Sequence, residues 1–138
     1  MEDSANLEFG PDFAEAQALL NTEVAIILTQ MIDSRRAGSI PTEHMQSVLS
    51  HAVRFDYLKA DEGKVNALRN ASNTQTFDGV HVFEFAQIIN LGLDDVDEAK
   101  ALIPSLRQRI DHGDGSLTDD KLQEVINVCK AERGFDDA

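Results

Sequence analysis

The stretch Asp111-His112-Gly113-Asp114-Gly115-Ser116-Leu117-Thr118-Asp119-Asp120 concentrates carboxylates, a histidine and two glycines in ten residues, the composition of a calcium loop. A helix–loop–helix calcium site needs side-chain oxygens at loop positions 1, 3 and 5, glycine at 6 and glutamate at 12. With Gly115 at the glycine position, the first ligand is Ile110, which has no oxygen to offer, and the last is Lys121, which brings the wrong charge. With Asp111 first, Gly113 and Gly115 take ligand positions and Leu122 takes the last. Both registers fail, and the stretch reads as an acidic turn before a helix. His44 and His51 are seven apart and can share a helix face, but no third ligand stands near them, so they read as exposed or hydrogen-bonded histidines. Cys129 is the only cysteine and falls in a helically spaced stripe with Leu122, Val125 and Ile126, the place of a small core residue rather than a nucleophile. Arg35-Arg36 lies in a polar linker and reads either as a solvated pair or as a contact for RNA or an acidic protein patch. No phosphate-binding loop, nucleophile elbow, HExxH or CxxC occurs. No catalytic set, metal site or cofactor is therefore expected.

The elements that would position these residues are helices. Leu19, Leu20, Val24, Ile27, Leu28, Met31 and Ile32 recur at steps of three and four, which lays one apolar stripe along a helix. Asn21 is its candidate N-cap, and Glu23 sits near the positive end of its dipole. The stripe fades near Asp33. Before it, residues 1–6 are expected to be mobile. Pro11 disfavours helix for the residue before it, so 7–14 is read as extended and 15–20 as a lead-in open to helix. Leu7, Phe9 and Phe13 make this arm more apolar than an exposed tail, so it either folds back on its own domain or lies on a partner, for example by adding a strand to a sheet edge.

Pro41 and Thr42 announce a second helix over 42–58 with Met45, Val48, Leu49, Ala52, Val53, Phe55 and Leu58 inward. Asp61 caps a third over 62–72. A fourth over 79–91 is apolar on most sides, which suits the middle of a bundle; a strand for Val80–Phe85 is its alternative. Gly92 closes it, Asp94 or Asp95 opens a fifth that ends before Pro104, and a last helix covers 118–132. The expectation is an all-α chain of about six helices. It divides into an arm with a long first helix, 1–38, for partner docking, and a helical domain, 39–138.

The chain's 138 residues suffice for one core without staples. A lone cysteine excludes an internal disulfide, and the acidic, polar start carries no secretory signal. No apolar run approaches a membrane span. A net charge of −13 argues against the chain alone gripping a phosphate backbone and is compatible with solubility or with docking on a basic protein.

Five segments then point to a family. NLEFGPDFAEAQALLNTEV (Asn6–Val24), AVRFDYL (Ala52–Leu58), FEFAQIINL (Phe83–Leu91), EAKALIPSLRQRI (Glu98–Ile110) and KLQEVINVCKAERGF (Lys121–Phe135) follow in order along nearly the whole chain. Together they resemble the fourth-largest subunit of eukaryotic RNA polymerase II, an HRDC-like family that has an archaeal counterpart. LLNTEV and KALIPSL are the most recognisable pieces. The departures are the Gly113–Ser116 stretch, which looks inserted, and the short linker at 34–41, which lacks a charged insert seen in some relatives.

The resemblance implies a non-catalytic stalk subunit in an obligate heterodimer with the seventh-largest subunit, bound to the polymerase core near the RNA exit path. It implies a role in initiation and nascent-RNA handling, with RNA met through the partner, no membrane, and the nucleus as the compartment, with shuttling to the cytoplasm. The equivalent subunits of polymerases I and III, and an HRDC-type nucleic-acid module using Arg35, Arg36, Arg107 and Arg109, are the alternatives. The arm and first helix supply the expected partner contacts: Leu7, Phe9, Phe13, Leu19, Leu20, Val24, Ile27 and Leu28, extended by Leu102, Ile103 and Leu106, for which packing inside the bundle is the competing role.

Overall fold

A computed structural model describes residues 3–34 and 42–133; of Thr42 it describes the backbone alone. Seven helices are present among the described residues: α1 Asn21–Ser34, α2 Thr42–Arg54, α3 Glu62–Ala71, α4 Val82–Leu91, α5 Val96–Leu102, α6 Pro104–His112 and α7 Asp119–Arg133. Short 3-10 turns stand at Ser4–Asn6 and Gln75–Phe77. The all-α expectation holds, and the strand alternative for Val80–Phe85 does not. The expected division at 38/39, Arg35-Arg36 and Phe135 lie outside the described residues.

Helix α7 is the hub. It packs on α3, α4, α5 and the Gln75–Phe77 turn, while α1 packs on α2 and α3. Helix α6 packs on α5, and the Ser4–Asn6 turn of the arm rests against it. The core gathers Leu58, Leu68, Phe77, Phe85, Ile88, Leu93, Leu106, Leu117, Leu122, Val125 and Ile126 into one cluster. Helix α4, apolar on most sides, sends Phe85, Ala86, Ile88 and Ile89 into it. Phe77 meets Phe85 edge to face with ring centroids 5.7 Å apart.

The helix ends follow capping chemistry. Asp61 accepts from the Lys64 amide and opens α3, and Asp95 accepts from the Glu98 amide and opens α5. His81 Nδ1 accepts from the Phe83 amide while Glu84 accepts from the His81 amide, a reciprocal box that starts α4. Gly92 ends α4 at φ 61°; its amide reaches Ile89 O and the Leu93 amide reaches Ile88 O, the double closure that buries Leu93 behind the turn. A Cβ on Gly92 would stand 2.9 Å from Arg133 Nη1 and 3.0 Å from the Tyr57 ring. Gly92→Ala is therefore expected to destabilise the fold by about 1–2 kcal/mol, measured by urea unfolding, from the left-handed backbone alone, with the crowding added to it.

Three expectations fail, and one helix goes beyond them. The fifth helix ends at Leu102, before Pro104 as expected, but Pro104 also opens a further helix, α6: a proline has no amide to lose at that position, and its fixed φ suits a helix start. Helix α2 ends at Arg54 rather than 58 because Asp56 turns the chain. Its carboxylate accepts from the Leu58 and Ala60 amides at 2.9 and 2.6 Å and holds Lys59 and Ala60 at positive φ. Asn21 does not stand ahead of α1 as its cap but is the first residue within it; its side-chain amide donates to Phe55 O and its backbone amide to Asn90 Oδ1. The arm is not extended. Asp3 caps the 3-10 turn through the Ala5 amide, pairs with Glu8 in an isolated bridge, and leaves Leu7 and Gly10 at positive φ. Residues 11–15 form turns and 16–20 are not helical.

Candidate partner-docking surface

The first turn of α1 is held by polar links to distant parts of the chain. The Leu20 amide donates to Glu23, and the Asn21 amide donates to Asn90 Oδ1 at 2.8 Å. Thr22 Oγ1 donates to the buried carboxylate of Asp56. Arg69 donates to Glu23 and to Ala18 O, with its guanidinium 5.5 Å from the Phe85 ring centre. Each of Asn21, Thr22 and Glu23 thus reaches across 34 to 69 residues of sequence. The NTE of the LLNTEV segment is a clasp that fixes where α1 leaves the bundle.

Beyond the clasp, α1 keeps apolar residues at its surface. Ile27 is 44% and Met31 39% exposed, and Leu19, just before the helix, is 45% exposed. Val24 and Leu28 are half-buried. Leu20, by contrast, has no exposed surface and belongs to the core cluster. A cleft of about 320 Å³ runs between α1 and α3, lined by Glu23, Ile26, Ile27, Gln30, Val65 and Asn66 among others. In the arm, Leu7 and Phe9 are half-buried and Phe13 is 61% exposed. The Phe9 ring lies 4.9 Å from Phe83 and 5.9 Å from His81. An apolar groove of about 240 Å³ opens there, bounded by Phe9, Phe13, Ala18, Val82 and Phe83. At the far expected contact, only Leu102 is exposed; Ile103 and Leu106 are core residues.

Sequence reasoning missed Met31 and Val82 as members of this surface, although Met31 follows Ile27 by one helical turn. It also missed Glu84. This carboxylate is wholly buried and accepts from Ser105 Oγ at 2.5 Å, from Arg109, and from the His81 amide. A glutamate inside the run VFEFAQII was the available signal.

Among the described residues, several other charged groups are engaged within the chain. The amino group of Lys100 lies 3.3 Å from both Asp111 and Asp119, so the acidic turn is answered by a lysine. The Asp111 hydrogen bond, chiefly, raises the Lys100 pKa above its usual value. Arg133 spans Gly92 O, Leu93 O and Asp94. Among the described residues no cluster of histidine, cysteine and acidic side chains is arranged to hold a metal, and no helix is long and apolar enough to cross a membrane. Cys129 is buried and its thiol is pushed up to about 12 by desolvation. It is expected to stay unlabelled by a disulfide reagent in the folded chain at pH 8 and to react fully in guanidinium, a thiol count that checks the core assignment.

Fold and surface define the class: an all-α bundle with a clasped first helix and apolar surface beyond its own core. Comparison with known proteins gives the family. The family model of RNA polymerase Rpb4 matches residues 18–132. DNA-directed RNA polymerase II subunit rpb4 of Schizosaccharomyces pombe is 33% identical over 141 residues, covering 99% of this chain and 95% of that protein. The protein of the same name in Dictyostelium discoideum is 28% identical, with 97% and 90% covered. DNA-directed RNA polymerase II subunit 4 of Arabidopsis thaliana is 23% identical, with 98% and 96% covered. The chain belongs to the Rpb4 family of RNA polymerase II subunits.

Proposed function

We propose that this chain is a non-catalytic stalk subunit of RNA polymerase II. It forms an obligate heterodimer with the seventh-largest subunit and through it joins the polymerase core in the nucleus, where it supports initiation and nascent-RNA handling. The observation that carries the docking part is the band Leu19, Ile27 and Met31, left uncovered where the clasp fixes α1. An apolar band on a rigid helix is the surface a permanent partner covers. An obligate interface of this kind buries about 2,000 Å² or more in total and is largely apolar.

RNA contact falls to the partner in this reading. The net charge is −13, and Arg69, Arg109 and Arg133 are engaged with acidic side chains of their own chain. Arg109, one of the four arginines of the nucleic-acid alternative, is thereby tied to Glu84. The test is affinity purification of the tagged chain from its native cells followed by mass spectrometry. The expected result is recovery of the seventh-largest subunit together with the two largest polymerase II subunits. Recovery with polymerase I or III subunits corrects the address, and recovery of neither overturns the reading.

A further inference from the structure

We infer that residues 3–9 are a self-docked latch, seated in the free chain by the Ser4–Asn6 turn on α6 and by Phe9 on Phe83, and displaced when the partner binds. The inference rests on the docking reading above and adds to it a conformational step.

Three observations carry it. First, the arm is hydrogen-bonded only to itself. Asp3 accepts from the amides of Ala5, Asn6 and Glu8 and donates its own amide to Glu8 O, and the Phe13 and Ala16 amides close turns within the arm. Among the described residues, no hydrogen bond joins residues 3–17 to the helices. Release therefore breaks no hydrogen bond to the helices, and the Asp3–Glu8 turn can move as a unit. Second, the seat is shallow. The turn that rests on α6 offers only Ser4, Ala5 and Asn6, none of them buried. No side chain from Asp3 to Leu19 is fully buried, although Leu7, Phe9 and Phe13 are among them. The groove beside Phe9, Val82 and Phe83 is left incompletely filled. A permanently packed arm would bury its aromatic anchor; this one holds by a tilted ring contact. Third, the root is fixed. Arg69 grips Ala18 O at 2.9 Å, immediately before the clasp of α1, and Gly10 stands at φ 81°. A closed turn, a shallow seat and a pinned root make the segment 10–17 a tether across which the latch swings.

Release exposes Leu7 and Phe9 next to Phe13 and Leu19, so the arm's apolar residues become available to the same partner that covers α1. A latch of this kind lowers the apparent affinity by the fraction of chains with the arm closed, and weakening it raises that affinity.

The direct test is the nuclear Overhauser contact between the Phe9 and Phe83 rings in isotope-labelled full-length chain, free and saturated with the unlabelled seventh-largest subunit. The contact is expected in the free chain and absent from the complex. A contact that persists in the complex, or is missing in the free chain, overturns the latch. Phe83→Ala is the second test. Removing one ring from an aromatic pair is expected to tighten partner binding by about three- to tenfold. Unchanged or weaker binding by the folded variant overturns the latch and makes Phe83 an ordinary packing or contact residue. Should alanine unfold the helix, Phe83→Leu keeps an apolar side chain at the position and removes the ring contact. Absence of any association with wild-type chain overturns the docking reading itself, and so is distinguishable from failure of the latch alone.

Discussion

Glu84→Ala is expected to lower folding stability by about 3 kcal/mol and the melting temperature by roughly 10 °C, read by circular dichroism. Among the described residues Glu84 is the one carboxylate with no exposed surface, and it ties three places together: the α4 start through the His81 amide, Ser105 on α6, and Arg109 one turn further along α6. Alanine leaves a guanidinium whose Nε is already buried without a partner. Removing one member of a buried ion pair costs about 3–5 kcal/mol, and the low end applies because the Arg109 side chain is 31% exposed and can recruit water. The loss should be largely recovered in Glu84→Ala/Arg109→Met, where no charge is left to satisfy. A single variant that melts within about 2 °C of wild type would show that the network sets the α4–α6 geometry without stabilising the fold.

That network marks the limit of what the sequence discloses. Helical spacing reveals α3 and α7 because their apolar stripes face one core, it reveals α1 because the same spacing persists where Ile27 and Met31 stay at the surface, and acidic caps at Asp61 and Asp95 place two helix starts. Gly92 is readable as a stop because a left-handed closure favours glycine. Pro104 is not readable as a start, since proline ends one helix and begins another with equal ease, and here Ile103 serves both α5 and α6. The arm misleads for a related reason. Gly10-Pro11 signals a break in helix, but the dipeptide does not say whether the break gives a strand or a turn; here the Phe13 amide closes on Gly10 O and the Ala16 amide on Phe13 O, which makes turns. The candidate surface is half legible. Period alone cannot say which side of a stripe is covered, so Leu20, Ile103 and Leu106 share one set with Phe13, Ile27 and Leu102 until the packing separates core from surface.

The separation changes the decisive variant. Spacing alone nominates Leu20 and Ile27 as the pair to change to aspartate, but Leu20 has no exposed surface. Leu20→Asp would bury an unpaired carboxylate and unfold the chain, so a lost complex would say nothing about docking. Ile27→Asp/Met31→Asp places both charges one turn apart on the uncovered side of α1. Neither residue belongs to the core cluster, so the melting temperature should move little. In an obligate, apolar interface each charge must be desolvated without a counter-charge, and two such residues at hot-spot magnitude, about 2 kcal/mol each, lower affinity by roughly 1,000-fold. Titration of the folded double variant against the seventh-largest subunit checks this. Affinity within about threefold of wild type would move the interface off α1, to the groove at Phe13, Val82 and Phe83, which also leaves apolar side chains uncovered next to the clasp.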